Sequence, residues 1–195
     1  MKYKVIDNFL DEEYFDSLVT LFTVPVWPPV ITWSLVNQDE TKKGLEVYTD
    51  NKNKDQWEVK DDKIFYMIHV IYDHNMPTSP HYDLLIPLLE KMGTRCLIRL
   101  KVNLYPNTEI IHEHPYHTDN SFSHTGAILS LNTCDGYTKM ADGTKIDSIA
   151  NRLLLFDASE NHAATTTTNV FARININMNF LSCNLNEMEH KFNWN

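Results

Sequence analysis

The chain has 195 residues, 43% of them hydrophobic and 11% aromatic, which is enough to bury one sizeable core as a single domain over 1–195. Its formal net charge of -9 argues against capture of nucleic-acid backbones, which needs clustered lysine and arginine. No stretch approaches the roughly eighteen apolar residues of a membrane span, residues 1–8 lack the apolar region of a secretory signal, and Cys96, Cys134 and Cys183 read as reduced thiols, so a cytoplasmic setting is expected.

Residues 3–7 alternate as a short strand. Asp11 caps a helix, with Glu12 and Glu13 in the first turn where the helix dipole favours negative charge. Tyr14, Leu18, Leu21 and Phe22 recur at helical spacing and should face the core. Pro25, Pro28 and Pro29 end that helix, and Trp27 and Trp33 beside them read as packing aromatics. Residues 38–63 are polar, with one strand signal at 45–48; a solvated surface and a substrate lid both fit such a stretch. Ile64, Met67, Ile68 and Ile71 recur at helical spacing, which predicts a second helix over 62–73. Ser79-Pro80 marks another helix start, with Leu84, Leu85, Leu88, Leu89 and Met92 as its apolar face and Gly93 as its stop. His69, His74 and His81 have no ligand spacing and read as surface or packing residues.

The character changes after Gly93. Residues 96–105 alternate as a strand and end in a Pro106-Asn107 turn. Strands follow at 126–131 and 151–156, with a hairpin around 141–143 between them, and the last clear strand covers 173–181. Residues 187–195 read as peripheral. Helices first and short strands afterwards predict an α+β chain. Its helical N-terminal part, about 1–94, packs on one sheet of a jelly roll (double-stranded β-helix) over about 95–181.

The chemistry concentrates in the second half. Residues two apart in an extended chain project to one side, so His117 and Asp119 can reach one ion together. His162, far downstream, completes a set of two histidines and one carboxylate, which holds Fe(II) and leaves the remaining positions open. His112-Glu113-His114 is the rival pair, of the kind a non-enzymatic cupin-like metal module would use, and His114 is its leading member. Otherwise those two histidines belong to an exposed strand edge or an entrance rim, and His124 follows on a turn. Arg173 shares one face of the last strand with Asn175, Asn177 and Asn179, opposite a fully apolar face. Taken alone, such a polar face turns to water; the alternative is an interior pocket with an arginine that grips a carboxylate.

The order His117-x-Asp119, His162, Arg173 resembles the 2-oxoglutarate- and iron(II)-dependent oxygenases, in particular their prolyl 4-hydroxylase-like branch. Asn103-Leu-Tyr105-Pro, Asp135-Gly-Tyr-Thr-Lys-Met140, Asn151-Arg-Leu-Leu-Leu-Phe156 and Val5-Ile-Asp-Asn-Phe-Leu-Asp11 are also similar. The resemblance covers about 95–181 well and 3–22 thinly, and leaves 24–94 unmatched. It implies iron held by His117, Asp119 and His162, and 2-oxoglutarate held by Arg173, Tyr105 and Asn103. With O2 as oxidant and ascorbate as a supporting reductant, 2-oxoglutarate would be decarboxylated to succinate as a substrate carbon is hydroxylated. A protein, peptide or small-molecule substrate is expected. The branch often carries lysine where Arg173 stands. Arginine there is the form of oxygen-sensing and nucleic-acid-demethylating relatives, so oxidative demethylation is the alternative within the family. Demethylases usually add a second arginine six residues on, where this chain has Asn179, and nucleic acid is not the expected partner.

Overall fold

Alternation along the last strand sets the architecture. The computed structural model describes residues 3–24, 30–37 and 65–181. In chain order the elements are β1 (Tyr3–Ile6), α1 (Glu12–Thr23), β2 (Ser34–Asn37), β3 (Phe65–Asp73), β4 (Met76–Pro77) and α2 (Ile86–Met92). They continue with β5 (Cys96–Pro106), β6 (Thr125–Ser130), β7 (Tyr137–Met140), β8 (Lys145–Asp147), β9 (Leu153–Asp157), β10 (His162–Ala164) and β11 (Ala172–Leu181). Among the described residues the larger sheet runs β1-β9-β6-β11-β5-β3-β2, with β4 paired to β3, and the smaller runs β10-β7-β8. All named pairings are antiparallel. Bridges from Glu113 to Thr165 and from His117 to His162 lay the 113–117 segment beside β10, extending the smaller sheet. This is a jelly roll.

On β11, Ile174, Ile176, Met178 and Phe180 join the main core, and Leu100 and Val102 of β5, Ala127 and Leu129 of β6, and Leu153 and Leu155 of β9 complete the sheet's contribution. Phe15, Leu18 and Phe22 of α1 and Leu88, Leu89 and Met92 of α2 cover that face. Each such side chain removed from water contributes about 1.5–3 kcal/mol before its entropy cost. The other face of β11 looks between the sheets, where Ile128, Met140, Leu154, Phe156 and Ala158 form a second, smaller cluster. Gly126 is required at that cluster's edge: a Cβ there would lie 2.7 Å from Ala158 Cβ and 2.9 Å from Phe156 Cζ.

Local signals explain the helix ends. The Asp11 side chain accepts from Tyr14 N at 3.0 Å and caps α1 as expected. Gly93 takes φ 69° after α2, a left-handed conformation that costs a residue without Cβ little. The helix after Ser79-Pro80 starts later than expected. Tyr82–Leu85 form a 3-10 turn, α2 begins at Ile86, and Leu84 stands outside the apolar face at 52% exposure.

Two expectations are corrected. The helix expected over 62–73 is strand β3 over its described part. Phe65, Tyr66, Ile68, Val70, Ile71 and Tyr72 are aromatic or β-branched and favour a pleated surface, and β2 and β5 pair with it on both sides. The N-terminal part is therefore not mainly helical, since it supplies β1 to β4 beside α1 and α2. Of the two readings of the polar face of β11, the interior one holds: Arg173, Asn175, Asn177 and Asn179 are all buried. The 38–63 segment, Trp27 and residues 187–195 lie outside the described residues. No helix among the described residues is long and apolar enough to cross a membrane.

Candidate metal centre and pocket

Strand pairing brings the two histidines together. His117 N donates to His162 O and His162 N to His117 O, both at 3.0 Å, so their side chains leave the sheet on one face. Asp119 follows two residues on, and its N–H donates to Ala158 O at 2.9 Å, which holds the segment in line. One ligand atom from each of His117, Asp119 and His162 lies within 4.8 Å of the other two, a separation that a single small divalent cation can span. Nδ1 of His117 meets Pro115 O at 3.3 Å, and Nδ1 of His162 meets Glu160 O at 3.0 Å. When those Nδ1 atoms carry the hydrogen, each ring presents the Nε2 lone pair, as a metal-binding imidazole must. Burial pulls the His162 imidazole below its usual value, favouring the neutral form that a cation needs.

Asp119 is held on both oxygens. Arg99 Nη2 donates to Oδ1 at 2.7 Å, and Asn179 Nδ2 donates to Oδ2 at 2.8 Å. Burial alone would raise this carboxyl, but the charge of Arg99, that of His162 at the low pH where its imidazole is protonated, and the Asn179 hydrogen bond outweigh it and bring it to about 2. The carboxylate is therefore ionised at neutral pH and oriented by its neighbours. His124 belongs to the same network, with Nε2 3.2 Å from Asn179 Nδ2. The sequence placed it on a turn; it is in fact buried. The position where a demethylase would carry its second arginine is occupied by Asn179, which holds the carboxylate of the triad.

The rival histidines do not converge on this point. Among the described residues the only potential metal-binding group is His117, Asp119 and His162. His114 is buried rather than on an exposed edge, and packs edge-on against Tyr66 and Tyr105 with ring centroids 5.6 and 5.3 Å away. Burial, then the charge of Arg173, holds its imidazole down at about 4, so it is neutral at pH 7.

The triad opens onto a cleft of about 380 Å3, counting the open space at its mouth. Tyr105, Asn103 and Lys101 of β5 and Arg173, Asn175 and Asn177 of β11 line one wall. Cross-strand register pairs them as Arg173 with Tyr105, Asn175 with Asn103, and Asn177 with Lys101. Arg173, 1% exposed, donates to Thr138 Oγ1 at 2.9 Å, Ser148 Oγ at 3.3 Å and Thr165 O at 3.3 Å. A guanidinium has five N–H donors, so among the described residues two remain for an anion. The Tyr105 ring lies 5.2 Å from Arg173 Cζ and stacks on Tyr66 at 5.2 Å. Burial pushes the Tyr105 phenol up, so it stays protonated and can donate. Asn103 Nδ2 donates to Asn175 Oδ1 at 3.0 Å. The Oδ1 atoms of Asn103 and Asn177 are buried with no partner among the described residues, an arrangement that costs about 1–3 kcal/mol per group unless a ligand or water supplies one.

Sequence reasoning reached Arg173, Tyr105 and Asn103 but passed over Arg99, Lys101 and Asn177 as site residues. The signal was the two-residue period, which puts 99, 101, 103 and 105 of β5 on one face and 173, 175 and 177 of β11 opposite them.

No family model matches the sequence, and no curated protein matches it. Solved structures do match the fold. A prolyl-4-hydroxylase from Pseudomonas putida aligns over 92% of this chain and 92% of its own at 16% identity and a TM-score of 0.55. An oxidoreductase of the 2OG-Fe(II) oxygenase family from Burkholderia pseudomallei aligns over 92% and 84% at 12% identity and 0.60. A Trichoplax adhaerens prolyl hydroxylase, solved with a peptide fragment of the hypoxia inducible factor oxygen degradation domain, aligns over 91% and 83% at 15% identity and 0.57. This chain shares their fold. At these identities the likeness is one of architecture.

Proposed function

We propose that this protein is an Fe(II)- and 2-oxoglutarate-dependent dioxygenase that hydroxylates a protein or peptide side chain, proline being the first target to test. One observation carries the reading: the His117, Asp119 and His162 donors converge on a cleft whose opposite wall holds a buried arginine with free donors. Loaded with Fe(II), the site would couple decarboxylation of 2-oxoglutarate by O2, yielding succinate and CO2, to hydroxylation of a C–H bond. His117 and His162 would bind through Nε2, and Asp119 as a carboxylate already ionised by its surroundings. Arg173 would grip the far carboxylate of 2-oxoglutarate in a fork that keeps its charge. The Tyr105 hydroxyl would add a neutral hydrogen bond, and Asn103 lines the same wall. The peptide bound to the Trichoplax neighbour supports a peptide substrate.

The test is succinate formation from 2-oxoglutarate with Fe(II) and ascorbate, against a panel of proline-containing peptides. Wild type should form succinate, at least one peptide should stimulate it, and Asp119→Ala should form none. Wild-type succinate no higher than that of Asp119→Ala, with or without peptide, overturns the proposal.

A further inference from the structure

Arg173 accounts for one end of the cleft; the other end holds a second cation. Lys101 stands on β5 four residues from Tyr105, on the same inward face, and pairs across the strands with Asn177. Its Nζ lies 5.7 Å from the centroid of the Tyr66 ring, and among the described residues no carboxylate forms a salt bridge with it. The nearby Asp119 carboxylate is instead taken up by Arg99 and Asn179. Asn177, 5% exposed, lines the same pocket, and among the described residues its buried Oδ1 has no hydrogen-bond partner. Rotating a carboxamide by half a turn exchanges its oxygen and nitrogen, so Asn177 can equally present a donor to the cleft. A partly buried ammonium with no carboxylate partner among the described residues, beside an amide whose Oδ1 is likewise unsatisfied there, lines a cavity that an anion could enter.

We infer that Lys101 and Asn177 form a second carboxylate-binding pole at the metal end of the cleft, opposite Arg173, so that the pocket selects a short dicarboxylate by both of its ends. The inference rests on the dioxygenase reading and adds a selectivity that the metal alone does not provide. Four residues of strand separate Arg173 from Asn177, about 13 Å of backbone. A five-carbon diacid, with one ion-pair contact added at each end, spans a comparable length. Lys101 is a positioning residue for the 2-oxo acid end of the co-substrate. Burial, then the charge of Arg99, holds the Lys101 ammonium down to about 8, with the Asp119 and Asp73 carboxylates offsetting this in part, and a bound anion would restore its full charge.

The experiment is calorimetric titration of the metal-free full chain with 2-oxoglutarate, glutarate and the monocarboxylate 4-oxopentanoate. Lys101→Met should weaken both diacids at least tenfold and the monocarboxylate less than twofold. Lys101→Arg should stay within about threefold of wild type for all three, and Asn177→Leu should show a smaller loss confined to the diacids. Unchanged glutarate affinity in Lys101→Met overturns the assignment and leaves the dioxygenase reading standing, as does an equal loss for all three ligands. Wild type that binds neither diacid, with or without Mn(II), overturns both. Should Lys101→Met fail to melt cooperatively, Asn177→Leu decides, and normal glutarate binding by that variant overturns the inference.

Discussion

Arg99 holds Asp119 across twenty residues of sequence, with Nη2 2.7 Å from Oδ1, so the carboxylate beside the two histidines is charge-compensated before any cation arrives. The arrangement orients the ligand and limits its electrostatic cost, because a buried carboxylate without a partner would take up a proton instead.

Arg99→Gln should therefore weaken Mn(II) or Fe(II) binding by about 10–100-fold, the usual cost of removing a group that orients a metal ligand. Asp119→Ala should abolish tight binding, and His112→Ala should leave it nearly intact. Titration calorimetry under anaerobic conditions measures all three. Wild-type affinity in Arg99→Gln would show that Asp119 needs no such partner.

The clamp proposed for Arg173 depends on a neighbour with no side chain. A Cβ on Gly136 would sit 2.7 Å from Arg173 Cδ and 2.6 Å from Thr166 O, one contact with a side chain and the other with backbone. Gly136→Ala should cost about 1–3 kcal/mol of stability, as overpacking does, and should also weaken 2-oxoglutarate binding. Arg173→Ala should raise the apparent Kd by about one to two orders of magnitude and Tyr105→Phe by less than tenfold, because charged hydrogen bonds exceed neutral ones. A Gly136→Ala protein that loses stability but binds 2-oxoglutarate normally would show that the clamp tolerates displacement.

These relationships mark where sequence reasoning reached and where it stopped. The jelly-roll half was readable because β5, β6, β9 and β11 each carry an alternating or wholly apolar run with a clear end. The convergence of His117 and Asp119 was readable because residues two apart in an extended chain share a side, whereas His162 came from its place in the order of the motif. The β3 strand was not: Tyr66 faces the pocket and Ile71 the helices, and a register shift between Val70 and Tyr72 breaks its period, so its apolar residues mimic a helix. The burial of Asn175, Asn177 and Asn179 was also hidden. A polar face lining an interior cavity and one facing water have the same composition, and only the opposing smaller sheet distinguishes them.

A clip at the N-terminus yields a stability prediction. The Asn151 side chain accepts from Leu10 N at 2.9 Å and donates to Leu10 O at 2.8 Å, while its own backbone stands at φ 59°. Asn151→Gly keeps the permitted φ and loses both hydrogen bonds, at about 2 kcal/mol. Asn151→Ala adds left-handed strain of about 1 kcal/mol more. Urea unfolding that ranks alanine level with glycine would remove the strain from this account.

Asp135 gives a pH signature. Burial acts to raise its carboxyl, but hydrogen bonds from Thr167 Oγ1 at 2.7 Å, Thr168 Oγ1 and Thr168 N at 2.9 Å bring it to about 2. A folded value below the unfolded one gives stability that is present above the unfolded value and lost as pH falls through the folded one. The wild-type advantage in Tm over Asp135→Asn should thus be constant from pH 7 to about 5 and vanish between about 4 and 2. An advantage that persists at pH 2 would assign it to packing instead of charge.

The two faces of β11 answer to different constraints. Positions 173, 175, 177 and 179 meet the pocket wall and the Asp119 network, while 174, 176, 178 and 180 meet the helices. A lineage that changed what the pocket holds would have to rewrite the odd positions, and one that changed its helices would rewrite the even ones. Within a single ten-residue segment, two histories of substitution could thus proceed in alternate letters, each nearly blind to the other.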